Sequence, residues 1–174
     1  SSFLEVDVDG SIYTANRNKF EIYKLEKGAA DASVVISGHA NDIFIDENKN
    51  IYIVDTYAHR VIKWASGATE GVVVAGGNGS GTGNNQFDKP FGIDIDSSEN
   101  LYVVDYINHR VMKWSPDASE GVVVAGGSFG SDNNQFNYPT DVIIDSQNNL
   151  FVTDQNNDRI MKWSPNSTIG ESIV

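Results

Sequence analysis

The sequence predicts an all-β fold assembled from copies of one small sheet, and three observations lead there. The string IYIVDTYAHRVIKW at Ile51 returns as LYVVDYINHRVMKW at Leu101 and as LFVTDQNNDRIMKW at Leu150, with a weaker copy, IYTANRNKFEIYKL, at Ile12. The copies keep register: Asp55, Asp105 and Asp154 are 50 and 49 residues apart, and so are Trp64, Trp114 and Trp163. No helical pattern of about 10 to 15 residues interrupts them, which removes leucine-rich and helical solenoids. A period of this length marks one supersecondary unit that cannot bury its own apolar faces and stacks on copies of itself.

The cleanest copy shows what the unit is. Gly92-Ile-Asp-Ile-Asp96 alternates apolar and polar residues, the period of a strand with two different faces. Ser97-Ser98-Glu99-Asn100 is a turn cluster, and Leu101-Tyr-Val-Val104 is a second strand rich in β-formers. Asp105 to Asn108 turns the chain again, and Arg110 to Trp114 alternates as a third strand. Ser115-Pro116-Asp117 breaks it, and Val122 to Ala125 is a fourth, stopped by Gly126-Gly127. Four short antiparallel strands joined by tight turns make one blade of a β-propeller. The sequence divides into four such blades, at about residues 3–38, 39–88, 89–137 and 138–174.

Residues repeated within a blade read as architecture. Trp64, Trp114 and Trp163 end the third strands, where a large ring can pack between neighbouring sheets; the first blade has Leu25 there. Asp55 with Arg60, Asp105 with Arg110, and Asp154 with Arg159 flank the turn between strands two and three. They are placed to tie it by a charge-assisted pair, which the first blade replaces with Asn16 and Glu21.

Composition narrows the function. A chain of 174 residues with 40% apolar content can bury a sizeable core. Its net charge of -12 argues against nucleic acid and anionic membrane surfaces, both of which need clustered Lys and Arg. No apolar run reaches the roughly 20 residues needed to span a bilayer. The absence of cysteine excludes disulfides and thiolate metal sites.

The strings DYINHRVMKW and NNQFDKPFGIDID resemble NHL repeats, named for an Asn-His-Leu triplet that stands here as Asn108-His109-Arg110, Ala58-His59-Arg60 and Asn157-Asp158-Arg159. The resemblance covers nearly the whole chain and implies a six-bladed ring. It leaves function open, because the family includes RNA-binding propellers, extracellular sensor and adhesion domains, and a metal-dependent amidating lyase. Four blades are fewer than six, and Val174 aligns with Ala125, partway through a fourth strand. The expectation is therefore a piece of a longer propeller, with a closed four-bladed ring as the alternative. Its first and last blade faces, left open, would drive self-association into an oligomer or filament.

Chemistry is expected on the loops. Gly76 to Pro90 and Gly126 to Pro139 are long Gly/Asn-rich connections between blades, suited to a glycan or peptide contact and equally to plain flexible loops. The connection after the first blade is short. His39, His59 and His109 could face that side, but they lack the local spacing of a zinc site. Asp7-Val-Asp9-Gly10 opens like a calcium loop without the closing Glu. Asn78-Gly79-Ser80 and Asn166-Ser167-Thr168 are glycosylation sequons, so Asn78 and Asn166 are expected to carry glycans and the chain to be secreted. No catalytic, cofactor or metal residue is assigned. The reading is a non-enzymatic extracellular binding or assembly scaffold that contacts protein or glycan, with no cofactor. The alternative is a metal-dependent propeller lyase or hydrolase with its site near the ring axis.

Overall fold

The computed structural model describes residues 4–16 and 21–174. The expected start of the first blade at residue 3 and its turn over 17–20 lie outside the described residues. The chain forms four separate four-stranded antiparallel sheets, each a simple up-and-down meander. The first holds β1 (Leu4–Val6), β2 (Ile12–Asn16), β3 (Glu21–Leu25) and β4 (Ser33–Ser37). The second holds β5 (Asp42–Ile45), β6 (Ile51–Asp55), β7 (Arg60–Trp64) and β8 (Val72–Gly76), and the third β9 (Pro90–Ile95), β10 (Leu101–Asp105), β11 (Arg110–Trp114) and β12 (Val122–Gly126). The fourth holds β13 (Pro139–Ile144), β14 (Leu150–Asp154), β15 (Arg159–Trp163) and β16 (Glu171–Ser172), with one turn of 3₁₀ helix at Gln155–Asn157. The final strand is short, but Ile173 N–H still donates to Ile160 O, 3.0 Å away, so pairing continues past it.

Each turn between strands one and two is built the same way. Asp7, Asp46, Asp96 and Asp145 accept on Oδ1 the N–H four residues on, at 2.8–2.9 Å, and the residue before that donor has positive φ: Gly10, Lys49, Glu99 and Asn148. Tyr13 and Tyr102 donate their hydroxyls to the second carboxylate oxygen of Asp7 and Asp96, both at 3.1 Å. The resemblance of Asp7-Val-Asp9-Gly10 to a calcium loop is thus this turn, with both Asp7 oxygens engaged.

The core lies between sheets. One layer joins Tyr52, Val54, Val61 and Ala75 of the second sheet to Leu101, Val103, Met112 and Trp114 of the third, and the next repeats it between the third and fourth. The tryptophans sit in these layers as expected. Trp114 packs against Phe87 and Trp163 against Phe136, with ring centroids 5.5 and 5.8 Å apart. Their indole edges lie over Gly121 and Gly170, where an added Cβ would come within 2.4 and 2.6 Å of Nε1. Trp64 keeps the glycine, Gly71, under its indole edge but departs from this pattern in its burial. It is only half-buried, because the short connection ahead of the second sheet brings no counterpart of Phe87 or Phe136.

Trp114→Ala is expected to cost on the order of 3–5 kcal/mol, the range for removing a large buried ring. Trp64→Ala should cost less, about 1–2 kcal/mol, because its ring is only partly buried and lacks a phenylalanine partner. Denaturant midpoints of the two variants measure the difference; equal shifts would contradict the packing described.

Candidate functional site

The long connections are gripped by the buried ion pairs. Arg110 Nε donates to Asp105 Oδ2 at 2.8 Å, which leaves both terminal nitrogens for other work. Nη1 donates to Thr82 O, and Nη2 to Gly83 O and Gln86 O, all within 3.0–3.1 Å. Asp105 Oδ1 accepts Asp88 N–H at 2.7 Å, and Asn108 Nδ2 donates to Gly81 O at 2.8 Å. The fourth sheet repeats the clamp: Arg159 holds Ser131, Asp132 and Gln135 carbonyls, and Asp154 takes Asn137 N–H. The sequence located these pairs at a turn. Their hold on the loop ahead of the sheet is visible only in three dimensions, because backbone carbonyls carry no sequence signature.

The same end of the molecule carries a cavity of about 560 Å³. Tyr57, Phe91, Tyr106 and His39 supply its rings, and Asn41, Glu21 and Lys89 its polar rim. Its aromatic wall runs on beyond the cavity. Phe91 stacks on Tyr106 at 4.5 Å, Tyr106 touches Tyr138 at 4.9 Å, Tyr138 meets His109 edge-on at 4.8 Å, and His109 meets Phe129 at 5.3 Å. Tyr57 and Phe129 are 74% and 62% exposed, so the strip offers apolar ring surface to solvent. Phe91 lies at the start of β9 and the others come from turns and connections of different sheets, and no sequence spacing announces them.

The histidines have structural duties. His59 and His109 both adopt positive φ, and each accepts on Nδ1 a backbone N–H from the start of the next sheet: Lys89 at 3.1 Å and Tyr138 at 3.2 Å. Burial pushes the His109 imidazolium pKa down, which keeps the ring neutral and able to accept. His39 is exposed and lies edge-on to Tyr57 at 5.0 Å. Among the described residues, no group of three or more His, Asp or Glu side chains is placed to hold a metal ion. Asn78 is exposed in the first long loop, its Nδ2 donating to Asn85 O at 3.0 Å, and Asn166 is exposed with φ of 62°.

One acidic feature escaped the sequence. The innermost strands carry Glu5, Asp42, Asp94 and Asp141, one per sheet, at two alternating positions rather than one repeat position. Asp42 Oδ2 accepts Ile93 N–H of the next sheet at 3.1 Å, and Asp94 Oδ2 accepts Ile144 N–H at 2.7 Å, so these carboxylates stitch neighbouring blades. Burial, and then the charge of Asp141, pushes the Asp42 carboxyl up to about 7. Glu5, Asp94 and Asp141 are also raised, in each case chiefly by burial.

Comparison with solved structures identifies the architecture as a β-propeller. An auxiliary nutrient binding protein from Bacteroides thetaiotaomicron superposes with a TM-score of 0.74 at 19% identity, over 91% of this chain and 46% of that one. A similar protein from Bacteroides ovatus gives 0.72 at 17% identity, over 89% and 45%. Virginiamycin B lyase from Staphylococcus aureus, in a catalytically inactive form with quinupristin, gives 0.65 at 13% identity, over 97% and 53%. The chain thus spans about half the length of these structures, and at such identities the likeness is one of fold. No protein-family model and no curated protein matches the chain.

The Asp42 carboxyl gives a pH signature. Its folded pKa stands above the ordinary 3.8, so between about pH 4 and 7 the folded state holds a proton that the unfolded state has lost. The stability it contributes is complete below that window and is lost as pH rises through it. Asp42→Asn is expected to flatten the fall of melting temperature between pH 4 and 7 relative to wild type. Parallel pH profiles, measured by calorimetry, would contradict this.

Proposed function

We propose that this chain is a non-enzymatic binding module of the propeller class that works outside the cell and takes a glycan or protein ligand on its loop-bearing face. The observation that carries the reading is the aromatic cavity. Tyr57, Phe91 and Tyr106 wall it beside a polar rim, and His59 and His109 of the same loop-bearing face each accept a backbone N–H. We read the blades as NHL-like, on the spacing that joins Asp105 to Arg110 and Trp114, with blade boundaries near residues 38, 88 and 137. The nutrient binding propellers among the structural relatives support a binding role. The exposed Asn78 and Asn166 sequons, proposed as glycan acceptors, support an extracellular location.

Self-association is part of the proposal. Ile93 and Leu101 are each 5% exposed against the second sheet, whereas Leu4 and Ile12, their counterparts in the first sheet, are 65% and 36% exposed. Val174, the counterpart of the buried Ala125, is 77% exposed. Such faces lose their burial in a lone monomer and are covered by further blades or by another copy.

The second reading, a metal-dependent lyase or hydrolase, has one observation in its favour: the Asp42 carboxyl, raised to about 7, lies next to the cavity-lining Asn41. The lyase among the structural relatives is consistent with it. Against it, both Asp42 oxygens already accept backbone N–H groups, from Ile43 and Ile93.

Native mass spectrometry of natively sourced protein, combined with ligand-observed NMR, tests the proposal. The expected result is no stoichiometric metal, mass removable by an N-glycan amidase, species larger than the monomer, and saturation transfer to neutral oligosaccharides or short peptides that Tyr57→Ala abolishes. One zinc per chain, bound through histidine, with no transfer to either ligand class, would overturn it in favour of the enzyme.

A further inference from the structure

Between the first and second sheets lies another cavity, of about 250 Å³, at a place that the other inter-sheet layers fill with their own chain. Ahead of the third sheet, Phe87 is fully buried on Trp114 while Arg110 grips the carbonyls of Thr82, Gly83 and Gln86. Ahead of the fourth, Phe136 and Arg159 do the same with Trp163. The connection into the second sheet, from Gly38 to Asn41, supplies neither a phenylalanine nor a loop.

The receiving half of that arrangement is nevertheless present. Trp64, Ile36, Ile53, Ile62 and Val73 line the cavity, and Arg60 stands at its side. Among the described residues, Arg60 makes a single bond, Nε to Asp55 Oδ2 at 3.1 Å; its side chain is 38% exposed, against 7% for Arg110. Among the described residues its two terminal nitrogens, whose counterparts hold three carbonyls in the other sheets, make no hydrogen bond. Asp55 Oδ1 accepts Ala58 N–H at 3.2 Å, where Asp105 and Asp154 accept the N–H that follows the buried phenylalanine.

We propose that this cavity is a peptide socket. It takes, from a partner protein, an extended loop that places an aromatic side chain on Trp64 and offers backbone carbonyls to the Nη atoms of Arg60. The two internal copies define the occupant's chemistry: an aromatic ring beside a run of small polar residues, as in Asn84-Asn85-Gln86-Phe87 and Asn133-Asn134-Gln135-Phe136. A guanidinium fork suits carbonyls fixed in one plane, which an extended peptide supplies. The ring of the incoming residue sits farther from the first sheet than Phe87 does from the second. Ser37 stands where Gly76 lies, and a Cβ at Gly76 would come within 2.5 Å of the Phe87 ring. The socket adjoins the loop-face cavity, since Gly38 and His39 line both, but of the two only the socket is lined by Trp64, Arg60, Ile62 and Val73.

The test uses the full chain and a fluorescein-labelled synthetic peptide with the sequence of residues 81–88, followed by fluorescence anisotropy. Saturable binding is expected, weakened by at least about tenfold when the peptide carries Phe87→Ala and when the protein carries Arg60→Gln. Val73→Trp, which fills the cavity mouth from a position 43% exposed, should do the same without lowering the melting temperature, and so guards against misfolding of the arginine variant. Three results would overturn the assignment: no saturation with wild type, equal binding of the Phe87→Ala peptide, or binding unchanged by both protein variants. Concentration-dependent dimerisation abolished by Arg60→Gln would also overturn it, giving the socket to a second copy instead of a foreign partner.

Discussion

A buried ion pair with donors to spare is the interaction on which the rest of this molecule depends. Asp105 and Asp154 are completely inaccessible, and an isolated carboxylate in that position would cost several kcal/mol. Arg110 and Arg159 offset that cost with one nitrogen each, then use the other two to hold a loop from outside the sheet. Replacing such a pair with apolar residues could leave the sheet as stable as before. It would not hold the loop. The pair is better understood as a device for fixing the long connections, and through them Phe87, Phe136 and the aromatic strip.

That view explains why the blades are unequal. Where a long connection exists, its phenylalanine fills the inter-sheet layer and its carbonyls complete the arginine. Gly76 and Gly126, both with φ of 69°, let those rings approach the backbone closely. Where the connection is short, the tryptophan is only partly buried, the arginine is incomplete and a cavity remains. One insertion, present or absent, therefore decides packing, electrostatics and accessible surface together.

The fold was legible in the sequence because repetition reveals architecture: Trp114 and Asp105 recur at a fixed period, and alternation such as Gly92 to Asp96 marks a strand. The second duty of Arg110 was not legible, because its partners are carbonyls, which any residue can supply. The histidines showed the limit from the other side. Their residue type suggested metal chemistry, yet His59 and His109 each serve one backbone N–H. The site itself was hidden for a geometric reason. Phe91, Tyr106, Tyr138 and Phe129 are scattered in the chain and meet only because neighbouring sheets place their loop ends side by side. The inner carboxylates were missed because Asp42 and Asp94 occupy different positions in their repeats, which breaks the period that exposed everything else.

Amide hydrogen exchange in Arg110→Lys tests the clamp most directly. A lysine ammonium cannot span the carbonyls that the guanidinium fork holds. The amides of Gly81, Gln86 and Asp88, which donate to Phe87 O, Gly83 O and Asp105 Oδ1, should exchange much faster than in wild type. The corresponding loop under Arg159, residues 130–137, should keep its protection. Unchanged exchange at residues 81–88, or equal loss from both loops, would contradict the account.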